Sequence, residues 1–382
     1  MSQLSARSTV RVLGAVLAVV VLGTLLGVSL LRSWSDVAEQ RNAVTTQRAG
    51  VGYLRSLTAL VAALSAAESS AVRGEPADAG RLRSALTEVA AADAMHGALL
   101  GTGTPWSGLR PRIAALLDKP GTGAAAYAEF DDVVSLAVAL MTRVGAASGL
   151  AHDTEPRSSH LTEAGLLLPQ ALVDAGRAAD LAALPPGTDA DADRTAAVAV
   201  ARYQVAVTAA RISAALKQDA GSGESPAAGT DLTGEHDDFL DAVDTLTPPA
   251  IVRRFGAAVP KGGLGGPATR VAGAALTLAD AVWSRLDTLL NRRQADLVER
   301  QRLIGAGAAA ALACGLLLLW FVLPDRRVRA QELDTDGPEP AEDEPEAPQI
   351  SMIDARELLS TDELVHVGRA VQAPPRERNH AE

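Results

Sequence analysis

The pattern of apolar and polar residues predicts helices along most of the chain. Aliphatic residues recur three or four positions apart, as at Leu54, Leu57, Val61 and Leu64, and clusters of Gly and Pro separate one such stretch from the next. Gly74-Glu75-Pro76 is expected to end the first long helix. The expected helices cover about 37–73, 77–100, 107–118, 125–150, 158–184, 190–219, 231–246 and 268–302.

Two stretches are long and apolar enough to cross a membrane. Residues 12–31 contain no charged side chain and would span about 30 Å as a helix. Residues 303–323 repeat the pattern and end near Trp320 and Phe321, ahead of an arginine cluster at 326–329. Because no small-residue cleavage site follows the first stretch, we interpret it as an uncleaved anchor rather than as a signal peptide.

These two spans set the predicted order of the chain. Arginines flank the spans on the side of the termini, which favours cytoplasmic termini in a plasma membrane protein that crosses the membrane twice. The predicted parts are a cytoplasmic N-terminus (1–11), a first transmembrane helix (12–31), an extracytoplasmic helical region (32–302), a second transmembrane helix (303–323), a disordered acidic and proline-rich linker (324–349) and a cytoplasmic tail (350–382).

Composition agrees with an all-α fold. Only 3% of the residues are aromatic and alanine runs recur, whereas strands favour β-branched and aromatic residues. Within 32–302 we expect two stacked antiparallel helix bundles, with a boundary at 150–157, where Asp153-Thr154-Glu155-Pro156 interrupts the helical pattern. The last helix meets no breaker before Leu323, so we expect it to enter the membrane as one rod.

Charge and cysteine content exclude several classes of protein. The formal net charge is -11, and no concentrated basic patch could neutralise phosphates, so we expect no nucleic-acid partner. The single cysteine, Cys314, excludes an intramolecular disulfide and a cysteine-built zinc site.

No group of residues predicts catalysis. The six histidines are scattered, and neither a P-loop nor a nucleophile elbow is present. Glu235, His236, Asp237 and Asp238 could hold a metal, but such a run at a helix start is more typical of a solvated first turn. We therefore expect no enzyme activity, no metal and no cofactor.

Arginines that face a helical interior are the best candidates for ligand binding. An anion placed where water is excluded needs a fork of donors, which a guanidinium supplies. By helical context the candidates are Arg73, Arg177 and Arg202. The alternative is that they are ordinary surface arginines, and Asp174 and Asp180 could simply pair with Arg177.

Both predicted spans carry small residues four positions apart, which let helix backbones approach closely in lipid. They are Gly23 and Gly27 in the first span, and Gly307, Ala311 and Gly315 in the second. The pattern fits pairing of the two spans, a homodimer, or contact with another membrane protein.

The tail contains a candidate docking segment. Apolar residues return after the linker, and Ser360 to Glu363 has the capping-box pattern of a helix start. A short amphipathic helix that docks on a cytoplasmic protein would use Leu358, Leu359, Leu364 and Val365. The alternative is a marginal helix without a partner.

The order of span, helical region and span resembles the sensory half of bacterial transmembrane receptors, namely methyl-accepting chemotaxis receptors and sensor histidine kinases with helical-bundle input domains. Residues 53–74 and 166–181 are similar to segments of actinobacterial receptors of the nitrate/nitrite-sensing or double-bundle type. The resemblance covers residues 1–325 at most. It implies a sensor that binds a small ligand outside the membrane.

The chain departs from these receptors after the second span. They continue into a relay module and then a kinase or signalling hairpin, whereas 58 residues, mostly acidic linker, follow Pro324 here. We expect no kinase activity, so a signal would have to pass to a separate cytoplasmic protein that binds the tail. The alternative is a structural scaffold of the cell envelope that binds other membrane or wall proteins constitutively.

Overall fold

The computed structural model describes residues 3–119, 121–153, 155–185, 191–221, 232–248 and 263–322. Every regular element within these ranges is helical, so the all-α prediction is confirmed. The helices are α1 (Gln3–Val72), α2 (Ala79–Leu100), α3 (Gly103–Asp118), α4 (Gly123–Ala147), α5 (Pro156–Ala183), α6 (Asp191–Gly221), α7 (Thr233–Leu246) and α8 (Gly265–Val322). One turn of 3-10 helix, Leu150–His152, lies between α4 and α5.

Glycine and aspartate mark the helix ends around α2. Gly74 and Gly101 have φ angles of 67° and 63°, in the left-handed region that glycine adopts without strain. Asp78 caps the start of α2, because its Oδ1 accepts a hydrogen bond from the backbone amide of Arg81 at 3.0 Å. The predicted stop at Gly74-Glu75-Pro76 therefore begins two residues after Val72, the last residue of α1.

Most helix boundaries lie within a few residues of their predicted positions, and α3 is the main exception. It begins at Gly103 instead of near 107. Pro105 lies in its first turn, where the missing amide hydrogen costs no helical hydrogen bond. At the other end of the chain, α8 continues unbroken to Val322, as the absence of a breaker predicts.

The two longest helices, α1 and α8, lie antiparallel. The guanidinium of Arg48 donates to the side-chain oxygen of Gln294 at 2.8 Å, and Arg55 donates to the hydroxyl of Ser284, also at 2.8 Å. As the residue number rises along α1, the number of its partner on α8 falls. The N-terminal part of α1 and the C-terminal part of α8 therefore leave the bundle at the same end.

The described part of the bundle has one apolar core, to which each of the eight described helices contributes. The predicted stripe of α1, with Leu54, Leu57, Val61 and Leu64, is fully buried in it. Trp283 of α8 is also fully buried and packs on α5. The helical pattern is interrupted at 150–157 as predicted, but the two stacked bundles stay a prediction, because the core is continuous across that interruption.

Beyond the bundle, both long helices carry exposed apolar side chains. We call residues 21–34 of α1 and 303–317 of α8 the apolar ends. Leu25 is 65% exposed and Leu316 is 67% exposed, although the core buries the same residue type completely. Large apolar side chains without protein contacts are typical of helix surfaces that face lipid.

One helix in the described part of the chain, α1 over Gly23–Val72, is long and apolar enough to cross a membrane. However, 72% of its apolar window is buried inside the protein, so that window belongs to the bundle rather than to the exposed end. The case for a span at 12–31 therefore depends on the apolar end. A second span at 303–323 and cytoplasmic termini stay predictions, and the linker and tail at 324–382 lie outside the described residues.

Candidate functional site

A cleft of about 300 Å³ opens between α1, α5 and α8 at the end of the bundle opposite the apolar ends. Val28 and Ser69 are separated by about 60 Å of α1 at the usual rise of about 1.5 Å per residue. The polar residues that line the cleft are Ser65, Ser69, Ser70, Arg73, Arg81 and Thr269. The remaining lining residues are Ala62, Ala66, Leu172, Gly176, Ala179, Gly265, Ala268, Ala272, Gly273 and Leu276.

Glycine at 176 allows α5 to approach α1 closely at the cleft. A Cβ atom built on Gly176 would lie 2.6 Å from the Oγ atom of Ser65, which is well inside van der Waals contact. Glycine within a helix costs about 1 kcal/mol relative to alanine. At this position the close approach of two backbones explains why glycine is present.

The hydroxyl groups of the cleft are not equivalent. Ser69 donates to the Oδ2 atom of Asp180 at 2.9 Å, while Ser70 and Thr269 donate to backbone carbonyls one turn earlier, at 3.1 and 2.9 Å. These three hydroxyls have already donated their protons, so toward the cleft they act mainly as hydrogen-bond acceptors. Ser65 is only 5% exposed and its hydroxyl has no hydrogen-bond partner among the described residues, so its proton remains available.

Two buried carboxyl groups, Glu68 of α1 and Asp180 of α5, lie behind the cleft. We call them the Glu68–Asp180 pair. Glu68 is 2% exposed and Asp180 is fully buried, and each has one oxygen without a hydrogen-bond partner in the described structure. Burial, followed by the charges of Asp180 and Asp131, raises the pKa of Glu68 to about 8. Burial also raises the pKa of Asp180 to about 6, although the hydrogen bond from Ser69 and the charge of Arg73 oppose the shift.

Two arginines flank this pair. Arg73 lies 4.0 Å from Asp180 and also forms an exposed ion pair with Glu75 at 3.0 Å. On the other side, Arg177 contacts Asp131 of α4 and lies 3.7 Å from Asp174. Each guanidinium is thus shared between two carboxylates, and neither donates to Glu68, which explains why the pKa of Glu68 remains high.

The structure separates the three arginines that the sequence singles out. Arg73 lines the cleft, whereas Arg177 links α5 to α4 outside it. Arg202 is buried in another part of the bundle, where its Nε and Nη2 atoms donate to the carbonyl oxygen of Leu246 at 2.9 and 2.6 Å. It therefore caps the last turn of α7, and burial lowers its pKa. Ligand binding by these residues stays a prediction.

A second buried carboxylate, Asp153, lies nearer the apolar ends. Its oxygens accept hydrogen bonds from Ser158 at 2.6 Å, Gln47 at 3.1 Å, Arg293 at 3.1 Å and the Glu155 amide at 3.2 Å. We call this group the Asp153 clamp, since it joins α1, α5 and α8. Burial alone would raise the pKa of Asp153, but these donors lower it below its ordinary value.

Sequence reasoning missed Glu68, although one signal was present, and it considered Asp180 only as a partner of Arg177, whereas the structure places Asp180 near Arg73. Glu68 continues the apolar spacing of Leu54, Leu57, Val61 and Leu64, and a charged residue in such a stripe is unusual in a core. Among the described residues, no group of three or more His, Cys, Asp or Glu side chains is placed to hold a metal ion, and this includes the acidic run at 235–238. His236 instead shares a hydrogen bond of 2.9 Å with Ser213.

The predicted small-residue faces make no close contact within the described chain. A Cβ atom built on Gly23, Gly27, Gly307 or Gly315 would meet no atom within 4 Å, and Ala311 is exposed. Pairing through these faces stays a prediction. The docking residues Leu358, Leu359, Leu364 and Val365 lie outside the described residues.

Chemically, the cleft offers guanidinium donors and hydroxyl groups beside an apolar wall, which suits noncovalent binding of a small molecule. The walls of the cleft belong to the same two helices that carry the apolar ends. No family model, curated protein or solved structure matches the chain.

Proposed function

We propose that this protein is a non-enzymatic membrane-anchored sensor that crosses the membrane twice and binds a ligand in its helical extracytoplasmic region. One observation carries the proposal: α1 and α8 form two walls of the cleft and run without a break to the apolar ends. A displacement of one wall relative to the other would therefore reach the membrane as a shift or rotation of a stiff helix.

Transmission requires a ligand that binds one arrangement of α1 and α8 more tightly than another, because equal affinity shifts no equilibrium. Some of the contacts between these helices in the bundle are weak enough to allow such a change. Arg48 and Asp287, 3.4 Å apart, are both well exposed, and pairs of this kind contribute little to stability. The signal would leave through a cytoplasmic protein docked on Leu358, Leu359, Leu364 and Val365.

A constitutive scaffold of the cell envelope is the second candidate. Met95 and Leu99 favour it, since both are exposed and they lie one turn apart on α2, away from the apolar ends. Apolar pairs on a bundle surface are typical of protein contacts. A scaffold would keep its partners whether or not the cleft is occupied.

Topology is the first test of the proposal. In a Cys314→Ser background, we would place single cysteines at Ser84, which is exposed on α2, and at Ser351 in the tail. The proposal expects an impermeant thiol reagent to label the first on intact cells, and the second only after lysis. The reverse labelling would contradict the proposed orientation and with it the receptor role.

The second test addresses the output. Crosslinked membranes containing the full chain would be compared with membranes containing a Leu358→Asp, Leu364→Asp variant, in which every described residue keeps its identity. A sensor should lose a cytoplasmic partner in the variant, and ligand should alter the amount of that partner crosslinked to the full chain. An identical set of envelope partners in both samples would favour the scaffold.

A further inference from the structure

We infer that the cleft between α1, α5 and α8 binds a small carboxylate that carries an apolar body. This inference deepens the proposed function by naming the ligand class, and its biological meaning rests on that function. The binding itself can be measured without any signalling partner.

Positive charge at the cleft favours an anion. No carboxylate in the described part of the chain lies within ion-pair distance of Arg81, although that side chain lines the cleft. Arg73 pairs with Glu75, but 37% and 57% of these side chains are exposed, and such pairs contribute only about 0–1 kcal/mol. A ligand carboxylate could therefore replace Glu75 on Arg73 at little cost and also neutralise Arg81.

The hydroxyl of Ser65 supplies a second argument. Only 5% of this residue is exposed, it lines the cleft, and its Oγ atom makes no hydrogen bond among the described residues. The Oγ atom is not one of the closed-off buried atoms without a partner, which fits a hydroxyl that is open to the cleft. A carboxylate oxygen in the cleft would accept its proton.

The rest of the wall excludes a purely inorganic anion as the best ligand. Alanines from all three helices, together with Leu172 and Leu276, cover most of the remaining surface. An inorganic anion would leave this apolar wall in contact with water, whereas the hydrocarbon body of a ligand would bury it and so contribute favourable free energy of binding. A volume of about 300 Å³ holds roughly ten water-sized groups at about 30 Å³ each, enough for a carboxylic acid of six or seven carbons.

Binding would be measured by calorimetry on the full chain in detergent micelles, with benzoate and hexanoate as probes. Benzamide and hexanamide have the same shapes without the charge, and inorganic phosphate has charge without the apolar body. We expect the carboxylates to bind at least tenfold more tightly than both the amides and phosphate.

Two matched pairs of variants locate the site. Arg81→Gln should weaken carboxylate binding at least tenfold, whereas Arg83→Gln, on the same helix but outside the cleft, should not. Gly273 lines the cleft, and a Cβ atom there would meet nothing within 4 Å, so Gly273→Leu places a bulky side chain at the cleft and should weaken binding at least tenfold. Gly52→Leu, an exposed position on α1 with equally open space, should bind as the parent does.

Both leucine variants replace a helical glycine, so they should retain or raise the melting temperature and remain folded. The inference is overturned by absence of heat with both carboxylates, by equal binding of the amides or phosphate, or by binding that Arg81→Gln and Gly273→Leu leave unchanged. Any of these results would leave the topology and tail experiments unaffected, so failure of this inference is distinct from failure of the proposed function.

Discussion

The bundle holds two buried acidic clusters at different levels along α1, one beside Gln47 and one at Glu68, and their surroundings differ. The Asp153 clamp, on the side of the apolar ends, supplies four hydrogen-bond donors to one carboxylate. The Glu68–Asp180 pair, behind the cleft, places two carboxyl groups together with few donors and leaves an oxygen of each without a partner. The pKa of Asp153 falls as a result, while those of Glu68 and Asp180 rise.

The difference shows that burial alone does not decide the charge of a carboxyl group in this bundle. Burial opposes ionisation at both clusters, and the number of donors decides which direction the pKa takes. The Asp153 clamp is charged at neutral pH and stabilises the contact of α1 with α5 and α8. At pH 7 Glu68, with a pKa of about 8, holds its proton, whereas Asp180, with a pKa of about 6, is mainly ionised and has few donors around it. The charge of Asp180 is therefore poorly compensated where the bundle forms the cleft.

The largest expected effect comes from removing the carboxylate of the clamp. Asp153→Ala removes the acceptor shared by Gln47, Ser158 and Arg293 and should lower the free energy of unfolding by about 2–4 kcal/mol. Ser158 keeps its hydrogen bond to the carbonyl oxygen of Glu155 at 3.1 Å. Arg293 keeps its contact with Glu155, which limits the loss. Chemical denaturation of the full chain in micelles would measure it.

Asp287→Ala serves as the control for the clamp. It removes a carboxylate from the same pair of long helices, but its ion pair with Arg48 is about 40% exposed on both sides, so the loss should stay below about 1 kcal/mol. Equal losses in Asp153→Ala and Asp287→Ala would show that the clamp does not stabilise the bundle.

The free energy of unfolding should depend on pH because the pKa values of the Glu68–Asp180 pair differ between the folded and unfolded chain. The pKa of Glu68 rises from 4.5 in the unfolded chain to about 8 in the fold, so its contribution is complete below pH 4.5 and is lost as pH rises through 8. Asp180 acts in the same direction between pH 3.8 and about 6. Stability should therefore decline with rising pH, by at most about 1.4 kcal/mol per pH unit for each group.

Glu68→Gln isolates the upper part of that window. The variant resembles the protonated acid, so its stability should no longer decline between pH 7 and 8, where Asp180 has largely lost its proton. Glu88→Gln changes an exposed residue of α2 and serves as the control. It has the same histidines as Glu68→Gln, but it keeps Glu68, so its stability should decline with pH as that of the parent protein does. A decline that persists in Glu68→Gln would assign it to other groups.

Asp153 should act with the opposite sign at the acid end. Because its pKa lies below the ordinary value of 3.8 in the fold, it stabilises the bundle above that pH, and the contribution is lost as pH falls further.

Much of the fold follows from local signals in the sequence. The spacing of apolar residues predicts the helices. Glycine and proline predict where α1 ends, and the absence of a breaker predicts that α8 continues into the second apolar stretch. These features depend on residues within a few turns of one another. They are therefore visible without knowledge of which helices pack together.

The acidic clusters depend on packing between distant segments, which one sequence does not reveal. Ser69 and Asp180, which share a hydrogen bond, are 111 residues apart, and Arg293 and Asp153 are 140 apart. The sequence identifies Asp153 only as part of a helix interruption. The interruption is present, but the Asp153 carboxylate stabilises the bundle because Gln47 of α1 and Arg293 of α8 donate hydrogen bonds to it. For the same reason, the local sequence does not distinguish Arg73, which lines the cleft, from Arg202, which caps the end of α7.

A smaller effect is expected at the single hydrogen bond that supports the Glu68–Asp180 pair. Ser69→Ala removes the donor to the Oδ2 atom of Asp180, so the fully buried carboxyl group loses its hydrogen bond. We expect a loss of about 1–2 kcal/mol at pH 8. At pH 5 the loss should be smaller, because Asp180 is then protonated in the fold. Ser70→Ala, whose hydroxyl bonds only to a backbone carbonyl, should show little pH dependence.

The smallest effect should occur on the exposed side of the contact between α1 and α8. Arg55 lies 3.2 Å from Asp280, but 46% and 72% of these side chains are exposed, so water screens their attraction. Arg55→Ala should change the free energy of unfolding by less than about 0.5 kcal/mol, and added salt should remove even that difference. A loss comparable to that of Asp153→Ala would mean that α1 and α8 are joined along their whole length. The helices could then not move relative to each other at the cleft, and the proposed transmission to the membrane would lose its physical basis.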